Sequence, residues 1–392
     1  MSHKVIVVTG HSRLDSGGVG THLKLLINEL DKKNKLLDVV LGSTTDGKLF
    51  HYFVRLFSKI FNFPHLSNSL YPIANIYFIK KKLKKSICKN VNDKQCVIIH
   101  THDRSSTIAA FMLKDEFNLR IVQTIHAPFY QQYEIHPEIS KSLVPQYIRG
   151  LDSKTVDFAD LYIAVDNLQR ELIIRDFKHE LGNKRVEVIP NAVESDLLSY
   201  KIEESNSECG KYFLVSRHLH EKNGVEYAIK AFDLFLRNNP VINVKLYILG
   251  QGPLESELRE LVNSLNLENE VIFMGAKKRT DCIRITANAL GSIVPSVPVG
   301  DYIEATSLSM LEALALKVPL IASNIGGIRQ VLDGKNAAFL VEPGKPELIA
   351  SAMNEIFSGT SVCKMRSENG YSLVRENYTT DVWSDKIIGC YE

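Results

Sequence analysis

The sequence predicts an α/β protein made of two doubly wound, Rossmann-like domains. Short β-branched runs alternate with helical patterns, which implies parallel sheets covered by helices. The alternation runs through once, stops at the polar stretch Lys201–Lys211, and then restarts. The chain has 392 residues, 45% hydrophobic and 23% charged, which suits two globular domains and excludes wholesale disorder.

In the first half, Val5–Thr9 reads as a buried strand. A glycine loop follows, Asp15-Ser16-Gly17-Gly18-Val19-Gly20-Thr21, and then a helix over His22–Leu30. Further strands are expected at Leu37–Leu41, Val97–His100, Arg120–Ile125, Leu161–Val165 and Val186–Pro190. In the second half, strands are expected at Tyr212–Ser216, Val244–Gly250, Val271–Met274, Gly291–Pro295, Pro319–Ala322 and Ala338–Leu340. Helices fit 224–238, 254–264, 308–316 and 346–357. The expected domains are 1–195, joined by a returning C-terminal helix at 375–392, and 196–374.

Charge is uneven. Residues 1–190 hold 27 Lys/Arg and 19 Asp/Glu, or +8, and 191–392 hold 20 and 26, or −6. A basic half points to an acidic partner: a membrane surface, nucleic acid or phosphates. The six cysteines are scattered without CxxC or Cys/His zinc spacing, which suits reduced thiols in the cytoplasm. The N-terminal apolar run is too short for a signal peptide, and no stretch reaches bilayer-spanning length. Phe50–Phe63 carries Phe50, Phe53, Val54, Phe57, Ile60 and Phe61 on one helical side, upstream of the basic run Lys80–Lys85. Together they predict peripheral contact with an anionic membrane, against an ordinary core helix followed by a solvated charged one.

Two nucleotide motifs fail. Gly42–Lys48 opens like a P-loop, but Leu49 stands where a magnesium-binding hydroxyl is needed. Gly18-Val19-Gly20 begins a dinucleotide fingerprint, but Leu23 occupies the third glycine position, so a nicotinamide or flavin cofactor is not expected. Arg217 and Lys222 just follow a strand, where two cations suit a diphosphate; taken alone they also read as surface cations. Glu304 and Glu312 lie eight apart, with Thr306 or Ser307 placed to cap a helix between them. His100, His102 and Asp103 resemble metal ligands, but no third distant ligand set is apparent. They follow a strand, and either line an acceptor site, as assigned to His102 and Asp103, or only pack. His218 and His220 flank the cations without an assigned role.

Val188–Val193, Arg217 with Lys222, Leu249–Pro253, Val271–Gly275, Glu304-x7-Glu312 and Ile321–Gly327 occur in that order. The combination resembles the family-4 retaining glycosyltransferases of the GT-B fold. It is dense over 186–345 and looser in the first half, at the glycine loop and Thr124-Ile125-His126. The resemblance implies an inter-domain cleft and transfer of a sugar from a nucleotide sugar, UDP-linked (UDP-GlcNAc or a UDP-hexose), with no metal and no nucleic-acid partner. The expected acceptor is an envelope glycan, a lipid-linked intermediate or a small natural product. The alternatives are a nucleotide-sugar epimerase or hydrolase and a non-catalytic partner protein. The resemblance also implies that Arg217 and Lys222 bind the diphosphate, Glu304 faces the donor sugar and Glu312 holds the ribose. His126 would contact the sugar, and backbone at Ala305, Thr306, Ser307 and Leu308 would reach phosphate or sugar. Gly18 would lie opposite, and Gly250 and Gly275 would flank the nucleobase. Many relatives read Glu-Gly-Phe-Gly where this chain has Glu304-Ala305-Thr306-Ser307.

Overall fold

The computed structural model describes residues 4–14, 17–42, 66–91, 95–130, 144–201 and 211–392. The Phe50–Phe63 stripe, residues 43–48 and most of the polar stretch at 201–211 lie outside them. By contacts the chain divides into Met1–Ile189 with Ser384–Glu392, and Pro190–Trp383. The joint thus falls at 189/190 rather than 195/196. Ile189 N–H still bonds Ala164 O at 2.9 Å, whereas Val193 already bridges to Thr379. The return falls at 383/384 rather than 375, because Val374 and Tyr378 pack in the second unit's core.

Among the described residues the first unit holds six parallel strands: β1 (Val5–Thr9), β2 (Leu36–Leu41), β3 (Val97–Thr101), β4 (Leu119–Ile125), β5 (Leu161–Ala164) and β6 (Arg185–Val188). Their order is β2-β1-β3-β4-β5-β6. β1, β3 and β5 are buried along their whole length, which is why they read as unbroken apolar runs rather than alternating ones. Helices α1 (Gly17–Lys32), α2 (Leu66–Asn90), α3 (Arg104–Phe111), α4 (Val144–Thr155) and α5 (Asn167–Leu181) accompany them. On α2, Ile79, Leu83 and Ile87 enter the core at a spacing of four. Lys81, Lys82, Lys84 and Lys85 are exposed, and Lys84 pairs with Glu116. The lysine run is therefore the solvated face of a core helix. At the chain's far end, buried Tyr391 sets its hydroxyl 2.7 Å from His100 Nδ1, and Arg120 donates to the carbonyls of Cys390 and Tyr391.

The second unit repeats the plan with β7 (Lys211–Ser216), β8 (Val244–Leu249), β9 (Val271–Gly275), β10 (Gly291–Val294), β11 (Leu320–Ser323) and β12 (Phe339–Val341), ordered β12-β11-β10-β7-β8-β9. Its helices are α6 (Val225–Asn238), α7 (Glu255–Ser264), α8 (Arg279–Ala287), α9 (Leu308–Ala315), α10 (Gly326–Leu332), α11 (Pro346–Phe357) and α12 (Ser361–Asn377). The second division falls within α13 (Thr380–Gly389). α6 buries Val225, Ala228, Ile229, Phe232 and Phe235 at spacings of three and four, against Ile349, Met353 and Ile356 of α11. Burial of each phenylalanine contributes about 1.5–3 kcal/mol.

Each sheet reverses its winding once, between β1 and β3 and between β7 and β10. Ligands of open α/β sheets bind beyond the carboxyl ends of the strands at such reversals.

Candidate active site

In the second unit, the turn after β7 carries Arg217, whose N–H bonds Leu249 O at 2.9 Å. The loop after β8 presses against it. A Cβ at Gly250 would stand 2.0 Å from Arg217 O, and one at Gly252 would stand 2.3 Å from Leu219 O. These glycines are required by backbone packing that seats Arg217. Gly275 has a φ of +65° and faces open space.

Lys222 lies in a single 3-10 turn, Glu221–Asn223, closed by Gly224 at a φ of +59°. A Cβ at Gly224 would stand 2.0 Å from Pro295 O, and Val297 N–H bonds Lys222 O at 2.9 Å. The turn is thereby fixed to the segment after β10. Glu304 comes from the segment before α9, which rests on Gly326-Gly327. Gly327 N–H donates to Glu304 O at 2.9 Å, and a Cβ at Gly327 would stand 2.5 Å from Thr306 N. Asn191 Nδ2 holds Thr306 O at 2.9 Å.

These supports bring three charges together. Arg217 Nη2 and Lys222 Nζ each lie 2.9 Å from the same oxygen, Glu304 Oε2. Arg217 also donates to Ser307 Oγ at 2.8 Å, to Ser296 Oγ at 3.2 Å and to Asn223 Oδ1. Lys222 lies 4.5 Å above the Tyr302 ring. Burial alone would raise the Glu304 pKa, but the two cations outweigh it and hold the carboxyl down at about 2. Within the trio one positive charge is left over, and Arg217 Nε is buried without a partner. Ser307 is the N-cap of α9, as expected by position, but its side chain makes no capping bond. Its hydroxyl is held by Arg217 and lies 3.1 Å from Ser309 Oγ.

Glu312, buried on α9, is not part of this trio. Arg279 Nη1 donates to its Oε1 at 2.6 Å, while the rest of that guanidinium grips Glu194 at Nε (2.7 Å) and Nη2. Burial pushes Glu312 up, and the shared Arg279 only partly opposes this. Glu194 is held down, because Arg279 outweighs its burial. Sequence reasoning missed Arg279 and Glu194. The only signal was a cation shortly after a strand, the same signal that marked Arg217.

In the first unit, Gly18 lies exposed in the first turn of α1. The helix begins at Gly17, five residues before the expected start. A Cβ at Gly20 would stand 2.8 Å from Leu14 O, so the preceding chain folds onto this turn. Asp103 is spent on the fold. Its Oδ1 accepts from Ser106 N at 2.9 Å, capping α3, and its Oδ2 accepts from Thr9 Oγ1 at 3.1 Å and from Gly10 N. His102 does meet partners: its Nδ1 lies 3.0 Å from His126 Nε2, and its ring stacks on His100 at 4.4 Å. His22 of α1 packs edge-on against His126 at 4.5 Å. Burial is the main cause holding His100 down to about 3, and His102 and His126 well below the usual histidine range.

Two domain families match the chain: Glycosyltransferase Family 4 over residues 16–197 and Glycosyl transferases group 1 over 200–373. The chain belongs to the family-4 glycosyltransferases of the GT-B fold, and its chemistry is glycosyl transfer. It is 23% identical over 314 residues to an uncharacterized glycosyltransferase of Methanocaldococcus jannaschii, covering 75% of each chain. It is 25% identical over 222 residues to the N-acetyl-alpha-D-glucosaminyl L-malate synthase of Bacillus anthracis, covering 55% of each. Its fold matches Anabaena HepE, solved with UDP-glucose, at a TM-score of 0.70 and 17% identity over 99% of each chain. It also matches the sucrose-phosphate synthase of Thermosynechococcus elongatus at 0.73 and 17%, over 99% of this chain and 98% of that one. Among the described residues no helix is long and apolar enough to cross a membrane.

Proposed function

We propose that the protein transfers a hexosyl or N-acetylhexosaminyl group from a UDP-sugar, with retention at the anomeric carbon. The observation that carries this reading is the Arg217–Lys222–Glu304 trio at the β7/β10 reversal. A buried surplus cation is costly unless an anion joins it. A diphosphate supplies that anion, with Arg217 as a fork and Lys222 as a point charge. Glu304 yields part of its hold on them and presents a carboxylate to the sugar. Glu312, held by Arg279, keeps a second carboxylate for ribose hydroxyls. Ala305, Thr306, Ser307 and Leu308 offer backbone groups to phosphate or sugar, Gly275 leaves room for the base, and His126 contributes a neutral ring to the sugar. The β-phosphate, leaving on the acceptor's face, takes the acceptor proton, so the protein's share is positioning and charge stabilisation, without a catalytic metal.

Solved HepE complexes contain UDP and UDP-glucose, which supports the choice of base. The malate synthase is named for a small acceptor, L-malate, which favours a small polar acceptor over an envelope glycan. The test is turnover of a panel of UDP-sugars with and without candidate acceptors, following UDP release and the product anomer. Release that never depends on an acceptor, or an inverted product, sinks the reading.

A further inference from the structure

The reversal of the first unit holds a cluster of a different kind. His22 from α1, His102 after β3 and His126 after β4 each offer one ring nitrogen, and these atoms lie within 4.8 Å of one another. His22 and His102 are almost fully buried, at 2% and 5% exposure. The Nε2 of His102 is buried without a hydrogen-bond partner. Leaving such a group unpaired costs about 1–3 kcal/mol. Such a nitrogen is satisfied by an ordered water or by a ligand.

The surroundings favour the ligand. The rings rise from the ends of two covered strands and from the buried face of α1. His100 stacks on His102 and is itself fixed, with Nδ1 on the Tyr391 hydroxyl and Nε2 on Thr124 Oγ1 at 2.8 Å. The donor set is all nitrogen: both oxygens of Asp103, the nearest carboxylate in sequence, already accept bonds from the fold. Imidazoles without carboxylates suit borderline ions such as zinc and disfavour magnesium, calcium and manganese.

We propose that His22, His102 and His126 bind one zinc-class divalent cation, leaving its fourth position open to water or an anion. Zinc–nitrogen bonds of about 2.0–2.1 Å place tetrahedral ligands about 3.4 Å apart, so the rings close in by small rotations as the ion enters. The cation takes one ring nitrogen of each histidine, which leaves the second nitrogen of His126 for the sugar contact proposed above. It ties the ends of β3 and β4 to α1.

The site is tested on the chelator-stripped full chain, with neither donor nor acceptor present. Titration with Co²⁺ should give the intense visible bands of a tetrahedral nitrogen site at one equivalent, without the near-ultraviolet bands of thiolate ligands, and Zn²⁺ should displace them. Zn²⁺ should also raise the melting temperature of the wild type. His102→Ala and His22→Ala should each weaken Zn²⁺ binding at least about 100-fold. Their metal-free melting curves show whether they remain folded. A wild type that gives no such bands, or thiolate bands instead, overturns the proposal whatever the variants do. Folded variants that bind Zn²⁺ as tightly as the wild type overturn it equally.

Discussion

The two sheet reversals occupy equivalent places in two similar folds and solve burial in opposite ways. The second unit buries charge and compensates it, with two cations on one carboxylate oxygen at 2.9 Å each. The first unit buries titratable rings and keeps them neutral. The same rule appears in single carboxylates. Glu304 has two cations and is held at about 2. Asp152, fully buried with Arg104 as its ion-pair partner, is pushed up to about 6, because burial outweighs that one cation. Fully buried Asp152 and Glu312, with one cation each, are pushed up, whereas fully buried Glu304 with two is held down; Glu194, only partly buried, is held down by one.

The largest effect should follow Glu304→Ala, which leaves Arg217 and Lys222 facing each other. Loss of one partner from a buried ion pair costs about 3–5 kcal/mol. Melting without ligand should show a loss of that size, and saturating UDP should restore part of it. Equal losses with and without UDP would break the contrast between the reversals.

Next in size is the phosphate contact. Arg217→Ala and Lys222→Ala should each weaken UDP binding by about 1.5–3 kcal/mol, roughly 10–150-fold, as measured by titration calorimetry. His126→Ala should leave UDP affinity unchanged, because the contact proposed for it is with the sugar. If all three variants bind UDP equally well, the charged reversal is not the nucleotide site.

Acid should separate the units. Folded His100, His102 and His126 take up protons only far below 6.5, so each contributes stability that is lost as pH falls below that value, at about 1.4 kcal/mol per pH unit for each ring. Glu304 contributes stability that is present above about 4.5 and lost as pH falls towards 2. Between pH 6.5 and 5, Tyr391 and its surroundings should therefore lose hydrogen-exchange protection while the trio's neighbours keep theirs. Simultaneous loss would place the acid-sensitive groups elsewhere.

The smallest effect is expected for Asp152→Asn. Its carboxyl takes up a proton near 6, so at pH 8 the folded unit holds an ionised group that burial disfavours. The amide should leave stability within about 1 kcal/mol of wild type at pH 8 and give no gain at pH 5. A loss of several kcal/mol would show that one cation is enough after all.

The strands were legible because parallel strands covered on both faces become continuous β-branched runs, and Val97–Thr101 or Leu320–Ser323 need no periodicity to stand out. The trio was legible because its members follow strand ends and its spacing matches a known family. α8 was missed: Arg279-Thr280-Asp281-Cys282-Ile283-Arg284 carries no clear apolar stripe, and Arg279 went with it. The histidine cluster was half legible. His100, His102 and Asp103 drew notice as neighbours in sequence, yet Asp103 turns back to cap α3, and the true companions, His22 and His126, come from other elements. Sequence patterns report faces of single elements, whereas side chains gathered from α1, β3 and β4 meet only through the register of the sheet.

The hydrogen bond between Tyr391 and His100 has a consequence for synthesis. The first unit's six strands are made by Ile189, yet the tyrosine that covers His100 is made only after the second unit. At about 5–20 residues per second, the ribosome needs roughly 10–40 s to bridge that gap. For that time the nascent first unit presents an uncovered patch around His100 and Arg120. A chaperone, or the ribosome surface itself, has that window in which to shield it, and a chain that stalls within the second unit leaves it open to aggregation.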